Sequence, residues 1–344
     1  MFRLVLMLIL ALFSTFGLLI GQGIDRESPN EIKDSDEILF TDTRTFNSQK
    51  YYHEHVITTG SGHAFGTTIE VNPKERRIER KVKEQLSKLK IEPVEINIVF
   101  HFLNAKDLRT SQQLVRSQIE ALNRDFNLKN IPREHPNDPT GEYAKRAANP
   151  RITFTAISDK EITAENIGIA TIKDSEIEWQ SFESMKSKES RGVEAVKPQK
   201  ILNVWVAKLS PKLGSYATSP FDHSEHPGIV IDEKYFGQLE KADHDYRQGK
   251  TLTHLIGNYL GLKDLWSEYS RCEDDGVSDT PVHNYANFSC PPPNHLSFCD
   301  DNPREMTMNF MDSSGDECQY MFTKGQVERM HAFLQVVHTG LITK

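Results

Sequence analysis

Between His254 and Asp264 the chain reads HLIGNYLGLKD, and three of its side chains can donate to a metal ion. His254 and Asn258 are four residues apart. On a helix they would stand one turn apart on the same face, the spacing at which two donors grip one ion. Gly261 allows the chain to bend so that Asp264 returns to the same point. One imidazole, one amide oxygen and one carboxylate form a poor set for zinc, which prefers imidazole and thiolate. Leu255, beside the histidine, has no proton chemistry. The bland reading of His254 is a histidine packed and hydrogen-bonded in a core.

The length and glycine placement match the zinc-peptidase helix motif H-E-x-x-H-x-x-G-x-x-H, in which three histidines bind the metal and the glutamate is the base. Only His254 and Gly261 remain of the named positions. Leucine replaces the base, asparagine the second ligand and aspartate the third. Loss of a general base alone typically costs about 10²- to 10⁴-fold in rate.

These residues need elements to hold them. Pro73 lies near the start of a basic amphipathic helix pattern, Asn72 to Lys90, with Ile78, Val82, Leu86 and Leu89 on one side. The period then changes: Val94, Ile96, Ile98, Phe100 and Phe102 alternate as in a strand and open the main domain. Thr110 to Gln113 offers a capping box before a helix carrying Leu114, Val115, Ile119, Leu122 and Phe126. Ile152 to Ile157, Ile201 to Ala207 and Gly228 to Asp232 read as further strands. Asp174 to Lys200 reads as a charged insertion, and Thr251 to Leu260 as a helix ended by Gly261.

A chain of 344 residues, 37% hydrophobic, can bury a sizeable core, and a net charge of -8 spread along it gives no basic face for nucleic acid. The first 23 residues read as a signal peptide, with an apolar run from Leu4 to Ile20 and small Gly21 and Gly23 at a cleavage site. An uncleaved membrane anchor is the alternative. Residues 24–92 form a polar leader, and residues 93–344 the main domain. All four cysteines lie between Cys272 and Cys318, which on an exported chain points to disulfides. Asn287-Phe288-Ser289 is a glycosylation sequon if the route of export is eukaryotic.

From VFHFL through QIEALNRDFN, NPRITF, ILNVWV, GIVID and TLTHLIGNYLGL to CEDDGVSDTP and NFMDSSGDECQYMFTKGQVERM, the chain resembles the pappalysin family of metzincin peptidases. That is the group of pregnancy-associated plasma protein-A and ulilysin. The resemblance runs over roughly residues 94 to 333. It implies an α/β domain whose twisted mixed sheet, with an antiparallel edge strand, lies over the active-site helix. A disulfide-bonded C-terminal subdomain would carry the Met-turn, with Met311 as the floor under the metal. It also implies pairing of Cys272 with Cys299 and of Cys290 with Cys318, where spacing alone leaves three pairings open. Structural calcium would match Asp275, Val277 and Thr280; the other reading of that loop is plain solvation. At Ser313 the family pattern has a tyrosine that helps hold the oxyanion.

Leu255, Asn258, Asp264 and Ser313 therefore replace four catalytic functions in an otherwise intact scaffold. The expectation is an exported pseudopeptidase, with zinc absent or weakly held, that binds an extended peptide or protein in its cleft by addition to a GIVID edge strand. No nucleic acid is expected, and a membrane only if the N-terminal segment stays attached. The alternative is an active zinc endopeptidase in which His254 and Asp264 take a third ligand from His223 or His226.

Overall fold

In a computed structural model of the chain the described residues are 73–343, apart from 106–107, 158–168, 173–176, 180–183, 211–213, 222–223, 225, 240–244 and 268–271. The expected signal peptide and most of the expected leader lie outside them, as does His223. Among the described residues no helix is long and apolar enough to cross a membrane.

The alternation of Val94 to Phe102 becomes β1 (Val94–Phe102), the central strand of the sheet. Its neighbours divide its length. On one side Val94 to Ile98 pairs in parallel with β2 (Ile152–Ala156), and Phe100 to Phe102 with β3 (Ile169–Ile172). On the other, Ile98 to Phe102 pairs in parallel with β4 (Leu202–Ala207). A short antiparallel β7 (Ile342–Thr343) takes Glu95 and Ile96. Beyond β4 come parallel β6 (Ile229–Asp232) and then antiparallel β5 (Tyr216–Ala217), so the path is β2-β1-β4-β6-β5.

The mixed sheet with an antiparallel edge strand is thus present, but GIVID is not that edge. It is β6, hydrogen-bonded on both sides, and its continuous burial fits an inner strand rather than a half-solvated one. The terminal strand is β5, too short and too mixed in composition to stand out by period.

Helix α1 (Pro73–Leu86) begins with proline at its first position, where no backbone donor is needed. It packs on the C-terminal helix α4 (Lys324–Val336), with Val82 set among Phe221, Ala332 and Phe333. Glu79 pairs with Arg329, whose Nε donates 2.7 Å to the Gly261 carbonyl. The end of the leader is therefore built into the domain through the bend that follows the site helix.

Helix α2 (Leu108–Asp125) starts ahead of Thr110, so the expected capping box lies inside the first turn. A full capping box exists elsewhere: Thr323 and Gln326 cap each other at the start of α4. Helix α3 (Lys250–Tyr259) packs against α2, β5 and β6. The charged insertion is not a loose surface loop. Trp179 and Met185 join Trp205, Tyr216 and Val230 in a second core on the sheet, and Val193 O accepts from Trp205 Nε1 at 2.7 Å. Its few apolar residues decide its place, together with Lys186, which is buried and whose Nζ donates to Thr218 Oγ1 at 3.3 Å.

Candidate functional site

All ten residues of α3 are buried, as a helix between a sheet and a lower subdomain must be. Its start is tied down by Lys250, whose Nζ donates to the carbonyls of Asp316 and of Gln319, the latter at 2.6 Å. Its end is a Schellman turn. Leu262 N–H bonds to Gly257 O at 3.0 Å, Gly261 N–H to Asn258 O at 2.9 Å, and Gly261 takes φ +88°. A Cβ on Gly261 would also meet the Phe333 ring at 2.4 Å, so packing as well as the backbone demands glycine.

The turn brings His254, Asn258 and Asp264 together. His254 Nε2 lies 3.0 Å from Asp264 Oδ1, and Asn258 Nδ2 donates to the same oxygen at 2.9 Å and to Leu262 O at 3.3 Å. His254 Nδ1 faces the Phe310 carbonyl at 2.8 Å. A carbonyl only accepts, so Nδ1 carries a proton. Asn258 is hydrogen-bonded to Asp264, and His254 Nε2 faces the same carboxylate oxygen.

That cluster is a poor fit to zinc. Asn258 spends its amide hydrogens on two acceptors while its Oδ1 is buried without a partner. Turning that oxygen toward a metal would leave Asp264 Oδ1 and Leu262 O without their donor. Only one imidazole is present, and among the described residues no group of three His, Cys, Asp or Glu side chains could hold a metal ion. His226, the described candidate for a third ligand, is engaged through its backbone, its carbonyl accepting from Lys186 Nζ at 3.1 Å.

Leu255 is 0% exposed and belongs to the main core. Beneath α3, Met311 is fully buried, and a Cβ on Gly257 would strike its Sδ at 2.5 Å; the methionine lies flush against the helix between His254 and Asn258. Leu265 N–H bonds to Met311 O at 3.1 Å, which fixes the chain leaving the bend. Ser313 is buried with no partner for its hydroxyl, while its carbonyl accepts from Tyr246 Oη at 3.2 Å.

In the loop beyond, Asp275, Val277 and Thr280 do converge. Asp275 Oδ1 accepts from Val277 N at 3.1 Å and Thr280 Oγ1 at 2.8 Å, and Thr280 Oγ1 also meets Val277 O at 2.7 Å. Asp275 Oδ2 is buried without a partner, and burial pushes this carboxyl up to about 6. A buried carboxylate oxygen beside a backbone carbonyl suits a hard cation such as calcium. The disulfides are Cys272–Cys299 and Cys290–Cys318, the pairing the resemblance implies.

Two further groups support the helix, and neither shows in the motif. Asp125 at the end of α2 is wholly buried and accepts from Thr253 Oγ1 at 2.8 Å; burial raises its carboxyl while Arg124 and Lys250 oppose the shift. His338 stacks on Tyr259 with ring centroids 4.5 Å apart, and its Nε2 meets Tyr259 O at 2.9 Å. Burial lowers its imidazole to about 4. Both are lone polar residues at no fixed spacing from His254, so only the fold reveals them.

A mixed sheet over a buried helix that ends in a glycine bend, with a methionine beneath and two disulfides beyond, is an arrangement similar to the metzincin fold. Residues 192–335 match the peptidase family described as Pregnancy-associated plasma protein-A. An extracellular metalloprotease of Arthroderma otae is 38% identical over 97 residues, which are 28% of this chain and 35% of that protein. Human Pappalysin-1 is 31% identical over 160 residues, 40% of this chain and 9% of its own length. The chain thus spans about a third or less of these two relatives. Promirolysin of Tannerella forsythia superposes with a TM-score of 0.65 at 29% identity, covering 78% of this chain and 91% of that one. Mature mirolysin in complex with a cleaved peptide gives 0.61, also at 29%, covering 74% and 99%. In sequence over residues 192–335 and in fold, this chain is similar to the pappalysin type.

Proposed function

We propose that the chain is an exported pappalysin-type pseudopeptidase, which holds an extended peptide or protein segment in its cleft without cleaving it. One observation carries the reading: Asn258 and His254 both direct hydrogen-bonding atoms at Asp264 Oδ1, at 2.9 and 3.0 Å, so polar contacts among the three residues fill the place of a metal. Leu255, buried in the core, supplies no base beside them. Mirolysin has been solved with a cleaved peptide, and the likeness in fold supports a cleft of similar use here. The terminal strand β5 offers backbone for strand addition. Export is supported by the two disulfides and by relatives named as extracellular. Calcium is the cofactor we assign to Asp275, Val277 and Thr280, where it would neutralise the orphaned Asp275 Oδ2 and brace the loop after the bend.

The test is made on protein purified from the medium. Metal analysis should find no stoichiometric zinc, unstructured peptides should remain intact, and a labelled unstructured peptide should still bind. Asn258→His with Asp264→His should bring zinc binding back. Chelator-sensitive cleavage by the unaltered protein, abolished in His254→Ala, overturns the reading. Added calcium should raise the melting temperature, and should do so less in Asp275→Asn; no difference between the two removes calcium from that loop.

A further inference from the structure

Four of the largest exposed apolar side chains fall within one short stretch. Phe298 is 85% exposed, Tyr285 58%, Leu296 50% and Phe288 42%. A hairpin presents two of them. His295 O accepts from Glu305 N, Ser297 N donates to Pro303 O, and Leu296 bridges antiparallel to Arg304, leaving Phe298 to Asn302 as the tip. Leu296 and Phe298, two residues apart, share a face, while Ser297 between them is fully buried. Phe298 N–H bonds to Asn284 Oδ1 at 3.0 Å, which sets the tip beside Tyr285.

The tip is covalently fixed. Cys299 follows Phe298 directly and is bonded to Cys272. The same bond brings Glu273 and Asp274 next to Asp300 and Asp301, and all four acids are exposed. Of the basic residues near this group in sequence, Arg271 lies outside the described residues, and Arg304, across from Leu296, stacks on Tyr143 and pairs with Glu142. An aromatic side chain held in solvent on a stapled hairpin has already lost much of the freedom that binding would otherwise remove. Such pre-set aromatics are typical anchors of protein interfaces. The surrounding carboxylates then select the sign of the partner.

We propose that the stapled hairpin is a docking surface for a basic amphipathic segment of a partner protein. Phe298 and Leu296 enter the partner's apolar side, and its lysines or arginines meet Asp300, Asp301, Glu273 and Asp274. The acidic rim disfavours both a second copy of this chain, which would bring like charges together, and an anionic lipid surface. This inference does not rest on the pseudopeptidase reading, because it uses none of the site residues and holds for an active or an inactive cleft.

The probe is a labelled synthetic helical peptide with leucine and tryptophan on one face and lysine and arginine on the other, followed by fluorescence anisotropy. A control peptide keeps the apolar face and carries glutamate in place of the basic residues. The basic peptide should bind, and added salt should weaken it. Phe298→Ala should weaken it by about tenfold or more. Asp300→Lys with Asp301→Lys should weaken it while leaving binding of the control peptide no poorer than before. These positions are exposed, so the variants should keep the parent's circular dichroism and disulfide map. Equal binding by Phe298→Ala, or equal binding of both peptides, overturns the proposal, as does absence of binding by the basic peptide. Concentration-dependent dimers that disappear in Phe298→Ala would assign the face to a second copy. Binding to vesicles of phosphatidylcholine and phosphatidylglycerol that is lost in the same variant would assign it to lipid. Either result overturns the proposal.

Discussion

Asp264 decides what His254 is for. In a zinc helix of this shape the third donor is an imidazole that shares a metal with the first. Here it is a carboxylate facing the first imidazole directly at 3.0 Å, with Asn258 donating to the same oxygen. The Asn258–Asp264 hydrogen bond is buried, and removing one partner becomes costly because the other is left unsatisfied. Asp264→Ala should therefore destabilise the protein by about 3 kcal/mol, as buried hydrogen-bonding atoms of His254 and Asn258 lose their partner. Asp264→Asn keeps the shape and an accepting oxygen, and should cost about 1 kcal/mol. Urea unfolding followed by tryptophan fluorescence would check both. Equal stability of the alanine variant and the parent would mean that the three residues do not act as a unit. The sequon at Asn287 is closed at this scale too: its side chain is buried and donates to Glu305 Oε2 at 2.6 Å. A glycan there is incompatible with this fold.

Among the elements, α3 is held at its two ends by quite different neighbours, and its C-terminal end is sensitive to acid. His338, just beyond α4, stacks on Tyr259, and burial takes its imidazole from 6.5 to about 4. The folded state thus resists a proton that the unfolded chain accepts readily. Stability from this residue is complete above about pH 6.5 and is lost as pH falls toward 4. The ring is only partly covered at the surface, which reduces the full shift to roughly 1 to 3 kcal/mol. His338→Phe should keep the stack and flatten the stability profile over that window. Burial also lowers His135 and His331, so a smaller slope should remain. An unchanged profile in His338→Phe would show that the stack carries no proton linkage. A second element prediction concerns α1. Val82 is 1% exposed against Phe333 and Ala332. Val82→Asp buries a carboxylate there and should release the helix, seen as new proteolytic cleavage between residues 87 and 93 and a lower melting temperature. Resistance to cleavage at the parent's level would contradict that docking. Strong periods made much of this legible in the sequence. β1, β2, β4, β6, α1 and α3 appear within a few residues of the expected spans because alternation or an apolar helical face marks them. β5 and β7 have two residues each, too few for a period, and β6 could not be told from an edge strand without knowing its neighbours. The fit of the insertion rests on Trp179 and Met185, with Val193 and Ala195 packed beside them and Lys186 buried, too few residues to make a period. The donor residues of the site were legible; that they would bond one another instead of facing outward was not, since that depends on side-chain distances no spacing encodes.

Over the whole molecule, the lower subdomain depends on covalent closure because much of it is irregular backbone. From the end of α3 to the start of α4 there is no regular helix or strand among the described residues, only isolated bridges and turns. Cys272–Cys299 and Cys290–Cys318 close loops with separations of 27 and 28 residues, and each should contribute about 2 to 4 kcal/mol by limiting the unfolded chain. The two loops are interleaved, sharing the segment from Cys290 to Cys299, so their effects are coupled. With one bridge removed, the other still confines that shared segment; with both removed, nothing does. Replacing both pairs by serine should therefore cost more than the sum of the two single replacements. The bridges also differ in what they enclose. Phe310 and Met311 lie inside the loop of Cys290–Cys318 and outside that of Cys272–Cys299, and Phe310 O is the partner of His254 Nδ1. Loss of Cys290–Cys318 should reduce hydrogen-exchange protection at Leu265 N–H, which bonds to Met311 O, whereas loss of Cys272–Cys299 should chiefly loosen the hairpin bearing Phe298. Equal loss of protection at both places in both variants would show that the subdomain opens as one unit, and that its disulfides do not hold the methionine turn and the exposed hairpin separately.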